Sequence, residues 1–178
     1  YGEAIPLYQK ILNRVEVSSS LFQDATALLL ESFLTEKKYK QAMSLVLAWQ
    51  KREPESVAPL FYEAWLHENY TKDPKREMAA YRRVLVLEPA NIKALSALAE
   101  RYLERKETAR AVEIFQQMEL LAPGDPSLPL KIGLIYYDQK QYDQAIEKFQ
   151  SVLKAHPEAE LSRLEPGRPV PAPDVLFP

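Results

Sequence analysis

The sequence contains no cysteine, which excludes disulfides and thiolate metal sites and leaves cytosol and periplasm equally compatible. Its four glycines are scattered, so no glycine-rich phosphate loop can form, and no nucleophile elbow is present. The two histidines, His67 and His156, lie on different repeats, and neither has a second histidine three or four residues away. Neither a metal site nor a cofactor is expected. No apolar run reaches the roughly 18 residues of a membrane span, and no signal peptide is visible. The chain is also short of excess basic charge, with a net charge of −2 and a pI near 5.8. Nucleic acid would favour a basic stripe, so it is not the expected partner. Acidic residues are plentiful but fall on helix faces that read as solvated. No catalytic residue is nominated and no enzyme is expected.

What the chain does have is 47% hydrophobic residues arranged at helical spacing. Asp125 to Pro157 reads as two helices joined by a short turn. Ile132, Gly133 and Tyr136 lie on one side of the first, and Ala145, Phe149, Val152 and Leu153 on one side of the second. Apolar positions three and four apart are those of a helix that hides one stripe. Gly133 and Ala145 leave room for close approach of a neighbouring helix, and Pro157 stops the second helix.

The pattern recurs. Ala145, Phe149 and Pro157 repeat the spacing of Ala111, Phe115 and Pro123, and of Ala42, Val46 and Pro54, with Glu77, Tyr81 and Pro89 as a weaker copy. Phe33, Tyr102 and Tyr136 each stand nine residues before an alanine of the set, and the prolines are 35, 34 and 34 residues apart. A fixed period in this range marks a solenoid.

These residues resemble the tetratricopeptide repeat family, whose 34-residue unit is a helix-turn-helix with a small, aromatic, small, aromatic, proline skeleton. The resemblance covers roughly residues 1–157. It implies an all-α fold, a right-handed α-solenoid (superhelix) of stacked antiparallel helix pairs, and a role in binding other proteins without chemistry. RNA-binding pentatricopeptide arrays share a period of about 35 residues but tend to be basic, and this chain is not.

The expected organisation is the second helix of a truncated repeat over 1–17, repeats over 18–56, 57–90, 91–124 and 125–158, and a proline-rich tail over 159–178. Tyr1, Ala4, Tyr8, Ile11 and Leu12 copy the spacing of Tyr142, Ala145, Phe149, Val152 and Leu153, which reads as a fragment of a longer array. Ser20 with Gln23 fits a capping box, Asp73-Pro74 a helix start, and Asn91 a cap. The second repeat is the irregular one. Its period is one residue longer, Glu77 takes a slot that is alanine elsewhere, and either Trp65 or Ala64 takes the small slot. Trp49 also stands where the family tolerates a small residue. The tail, PGRPVPAPDVLFP from Pro166, carries five prolines and favours polyproline II.

In a stacked array the first helix of each pair lines the concave side. The groove candidates are therefore Glu31; Tyr62, Leu66 and Tyr70; Lys93 and Glu100; and Leu130, Leu134, Tyr137 and Asp138, with Phe61 and Trp65 replacing members of the second set if that repeat is shifted by one. A partner peptide or protein with apolar anchors, and some basic residues to meet Glu31, Glu100 and Asp138, would match this lining. The lysine and asparagine clamp of some family members is not reproduced, since Ala27 and Glu31 occupy its places on the first complete repeat. Arg163, Pro166 and Pro169 also fit an RxxPxxP ligand. A self-assembly module is the alternative role, through the tail or through exposed apolar positions such as Ile146 and Leu153 at the array ends.

Overall fold

The computed structural model describes residues 20–155 together with 6, 7, 9, 10 and 14. All regular structure among them is helical. The helices are α1 (Ser20–Thr35), α2 (Tyr39–Arg52), α3 (Ala58–Leu66, continued by a π-helical turn His67–Thr71), α4 (Pro74–Leu87), α5 (Ile92–Glu104), α6 (Thr108–Leu121), α7 (Ser127–Asp138) and α8 (Tyr142–Ala155). Pro6, Leu7, Gln9 and Lys10 are helical as well. The remainder of the helix expected over 1–17, together with His156, Pro157, the tail and its RxxPxxP motif, lies outside the described residues.

The local signals in the sequence explain most of the boundaries. Asp73 Oδ1 accepts from the amides of Lys75 and Arg76 at 3.1 Å, with Pro74 as the first helical residue of α4. Asn91 Oδ1 accepts from the Ala94 amide at 3.0 Å to open α5. These caps satisfy amides that have no partner within the helix. Ser20 departs from expectation, since it is already inside α1 and Gln23 donates instead to Glu53 Oε2 at 3.1 Å.

Each first helix closes in the same way. Lys37, Lys72, Lys106 and Lys140 have φ of 57, 52, 60 and 61°, the left-handed conformation common just past a helix C-terminus. The next amide then reaches back into the last turn: Lys38 to the Phe33 carbonyl, Glu107 to Tyr102 and Gln141 to Tyr136, at 2.8, 2.8 and 2.9 Å. In the irregular repeat this bond runs from Asp73 to His67, one residue further back, at 2.9 Å. The extra residue of that period is thus absorbed in the π-helical turn, where one added residue widens a helix without breaking it.

The chain divides into two compact units, Tyr1–Ile114 and Phe115–Pro178, with the boundary inside α6. In the first, Leu29, Leu30, Phe33, Ala42, Val46 and Leu66 form one buried cluster, and Leu60, Val84 and Ala94 form another. Hiding each such leucine or valine side chain contributes about 1.5–3 kcal/mol. In the second unit α7 packs on α8. A Cβ on Gly133 would stand 2.5 Å from Phe149 Cε1, so the close approach expected there is real, and a side chain at this position would displace the Phe149 ring.

Candidate functional site

On α3 the sequence places apolar residues on both sides. Leu60, Ala64 and Leu66 turn inward and are buried, while Trp65 faces out and Phe61, one turn before it, is half-buried against the Leu60, Val84 and Ala94 cluster. Ala64 therefore fills the small slot, and Trp65 is left 38% exposed. These side chains line a cavity of about 400 Å³ together with Leu34 of α1, Ala58 and Tyr62 of α3, and Lys93 of α5. Three successive first helices contribute to it.

The groove has an ordered floor. The Lys93 ammonium lies 4.6 Å from the centre of the Phe61 ring, a cation–π contact worth about 0.5–1 kcal/mol when exposed. Phe61 meets Tyr81 edge-on at 6.1 Å, and Tyr62 tilts against Trp49 at 6.2 Å. Trp49, buried in its unusual slot, donates its indole N–H to Glu53 Oε2 at 3.0 Å. Burial pushes the Tyr62 hydroxyl above its ordinary pKa, and the nearby Glu31 carboxylate adds to the rise. Glu31 and Lys93 have no ion-pair partner among the described residues. A cation without an ion-pair partner, Lys93, therefore lines the groove from α5, and an anion without one, Glu31, stands beside Tyr62 on α1.

Of the residues expected from the sequence, the structure brings Tyr62 and Lys93 into this groove, with Glu31 beside Tyr62. Leu66 is a correction. It is 0% exposed and belongs to the core cluster with Leu29 and Val46, because the added residue lies C-terminal to it and the inward face of α3 runs through 60, 64 and 66. The one-residue alternative, Phe61 and Trp65, is the pair that lines the cavity. Tyr70 stacks on Tyr39 of α2 with ring centres 4.9 Å apart, away from the cavity. Glu100 is exposed on α5 and near enough to Tyr81 to help raise its hydroxyl pKa, which burial raises most. Leu34 and Ala58 line the cavity without having been nominated. Their place at the ends of α1 and α3 was the only signal available.

In the second unit, Leu130, Leu134 and Tyr137 are exposed on α7, three and four residues apart, and Asp138 is exposed beside them. Tyr137 is 57% exposed and touches Tyr142 edge-on at 5.7 Å. Asp125 Oδ1 accepts from the Ser127 amide at 2.9 Å, and the hydrogen bonds from Ser127 hold its carboxyl below the ordinary range.

A second polar constellation supports α5. Glu77 on α4 is 2% exposed and accepts from Arg101 Nε at 2.8 Å. The same guanidinium also binds Glu68 and Glu104. Burial acts to lower the Arg101 pKa, but Glu104 and Glu77 outweigh it and raise it above its ordinary value. His67 is buried, with Nδ1 2.9 Å from Thr71 Oγ1 and Nε2 3.8 Å from Glu63 Oε1. Among the described residues no group of three or more His, Asp or Glu side chains is gathered as for a metal ion, and no helix is long and apolar enough to cross a membrane.

Residues 128–159, covering α7 and α8, match the tetratricopeptide repeat family model. Among solved structures, a crystal structure of MamA superposes with a TM-score of 0.64 at 18% identity, over 89% of this chain and 90% of that one. The fold is that of tetratricopeptide-repeat proteins. MamA 41-end from Desulfovibrio magneticus RS-1 gives 0.62 at 15% identity, over 88% of this chain and 86% of that chain. YrrB, described as a TPR protein with an unusual peptide-binding site, gives 0.60 at 15% identity, over 91% and 81%. No curated protein matches the chain. The tetratricopeptide fold accounts for the 34-residue period and the paired helices.

Proposed function

We propose that this chain is a non-catalytic interaction scaffold that binds a peptide segment of a partner protein in the α1–α3–α5 groove. The observation that carries the reading is the pair Phe61 and Trp65. They stand one turn apart on α3 and both line the cavity, with Trp65 exposed and Phe61 half-buried against the Leu60, Val84 and Ala94 cluster, and partly exposed aromatics supply binding energy at little entropic cost. Recognition at a pre-formed groove of this kind uses apolar anchors for affinity and flanking charges for orientation. Glu31 and Glu100 favour basic residues in the partner, and Lys93 an acidic one. The peptide-binding description of YrrB supports the same use of the fold.

The test is selection of a displayed random-peptide library on the intact chain, followed by titration of the enriched peptides. Peptides with aromatic or aliphatic anchors and a basic residue are expected. Trp65→Ala should weaken them by about 30-fold, the equivalent of roughly 2 kcal/mol. Peptides that bind Trp65→Ala and Phe61→Ala as tightly as the wild type would overturn the assignment. Tyr62→Ala and Tyr137→Ala, made in parallel, report whether either tyrosine anchors the partner or only packs between helices.

A further inference from the structure

We propose that the groove formed by Phe61, Tyr62, Trp65 and Lys93 takes the proline-rich segment Arg168–Asp174 of a second copy of this chain, joining copies head to tail. The inference rests on the groove assigned above and names one occupant for it.

Three observations carry it. The first is the chemistry of the two surfaces. The segment RPVPAPD contains three prolines in seven residues, which fix φ near −65° and predispose it to polyproline II, the conformation that docks on aromatic-lined grooves. The groove presents two aromatic rings and a tilted tyrosine on one helix. The second is charge. The segment begins with a cation, Arg168, and ends with an anion, Asp174. Lys93 lines the groove from α5 and Glu31 stands beside Tyr62 on α1, neither with an ion-pair partner among the described residues. The third is length. Six residues of polyproline II advance about 19 Å, and two helix-to-helix steps of roughly 8–10 Å span about 16–20 Å from α1 to α5. A segment of that length would carry the arginine toward Glu31 and the aspartate toward Lys93, with the prolines over the aromatics between them.

A groove that accepts the segment of another copy is a heterologous contact, and such contacts propagate until they close or are capped. Assembly should thus continue past the dimer as concentration rises. Free peptide 166–178, added in excess, should cap the ends and return the material to monomer.

Sedimentation equilibrium of the full chain across a concentration series tests the proposal. The wild type should gain mass with concentration beyond that of a dimer. Trp65→Ala and Lys93→Glu should each weaken association by about tenfold or more. The double variant Lys93→Glu/Asp174→Lys should recover most of it, which only a direct pairing of those two positions would do. A chain that stays monomeric up to about 1 mM, including one whose segment serves only its own molecule, overturns the proposal. So does association that the variants leave unchanged, which would place the contact on other exposed apolar positions such as Ile146 and Leu153. Either failure leaves the library selection intact, since peptides lost on Trp65→Ala would still assign the groove to another partner.

Discussion

Replacing Arg101 by methionine tests how the irregular repeat tolerates a glutamate where its neighbours carry alanine. Glu77 is almost fully buried on α4 and takes a 2.8 Å hydrogen bond from Arg101 Nε. Removing one member of a buried pair leaves an uncompensated charge and costs about 3–5 kcal/mol. Arg101 is partly exposed and its other partners, Glu68 and Glu104, are more so, so the low end of that range, about 3 kcal/mol, is expected at neutral pH. The loss should depend on pH in a definite direction. Burial raises the Glu77 carboxyl above its ordinary 4.5, while the hydrogen bond and charge of Arg101 pull it down. A carboxyl with a raised folded pKa stabilises fully below its unfolded value, and that stabilisation is lost as pH rises toward the folded value. Without Arg101 the folded pKa climbs further, at about 1.4 kcal/mol per unit. The deficit of Arg101→Met relative to wild type should therefore be greatest near neutrality and shrink as pH falls toward 4.5. Urea unfolding followed by far-ultraviolet circular dichroism at pH 7 and pH 5 measures it. A deficit below about 1 kcal/mol that is the same at both pH values would mean that Glu77 is solvated rather than dependent on Arg101.

Further predictions follow from the same geometry. Glu77→Ala in the Arg101→Met background should restore most of the lost stability, with a coupling of about 2 kcal/mol in the double-mutant cycle; simple additivity of the two changes would argue against a paired charge. Gly133→Ala should cost about 1–3 kcal/mol, because the new methyl stands 2.5 Å from the Phe149 ring, and Phe149→Leu should relieve part of that loss in thermal unfolding. Lys106→Gly should raise stability by about 0.5 kcal/mol, since it relieves a left-handed penalty of about 1–2 kcal/mol against a glycine entropy cost of about 0.5–1; an unchanged or lowered midpoint would show that Lys106, at φ 60°, carries no strain.

The period was legible in the sequence because every copy repeats the same physical events. A lysine in the left-handed region ends each first helix at 37, 72, 106 and 140, and the prolines at 54, 89, 123 and 157 follow with the same 35, 34 and 34 spacing. Asn91, Asp73 and Gly133 were readable one at a time, since a cap or a close approach is a local requirement. The register of α3 was not. An added residue can be absorbed at several places in a helical hairpin, and only the backbone shows that it sits in the His67–Thr71 turn. Leu66 therefore went to the core and Trp65 to the open face. Glu77 stood out as an anomaly, but its partner is 24 residues away on another helix, and no local pattern points to Arg101. Leu34 and Ala58 are ordinary apolar residues whose place in the groove depends on how α1 and α3 pack.

Hydrogen exchange of the full chain, with and without a peptide enriched on it, probes the binding face directly. Added protection should fall in α3 over residues 58–66 and in the first turns of α5 around Lys93, the segments that carry the cavity lining, and should vanish in Trp65→Ala. Protection confined to α2, α4 or α6, with α3 and α5 unchanged, would contradict a groove on the first helices.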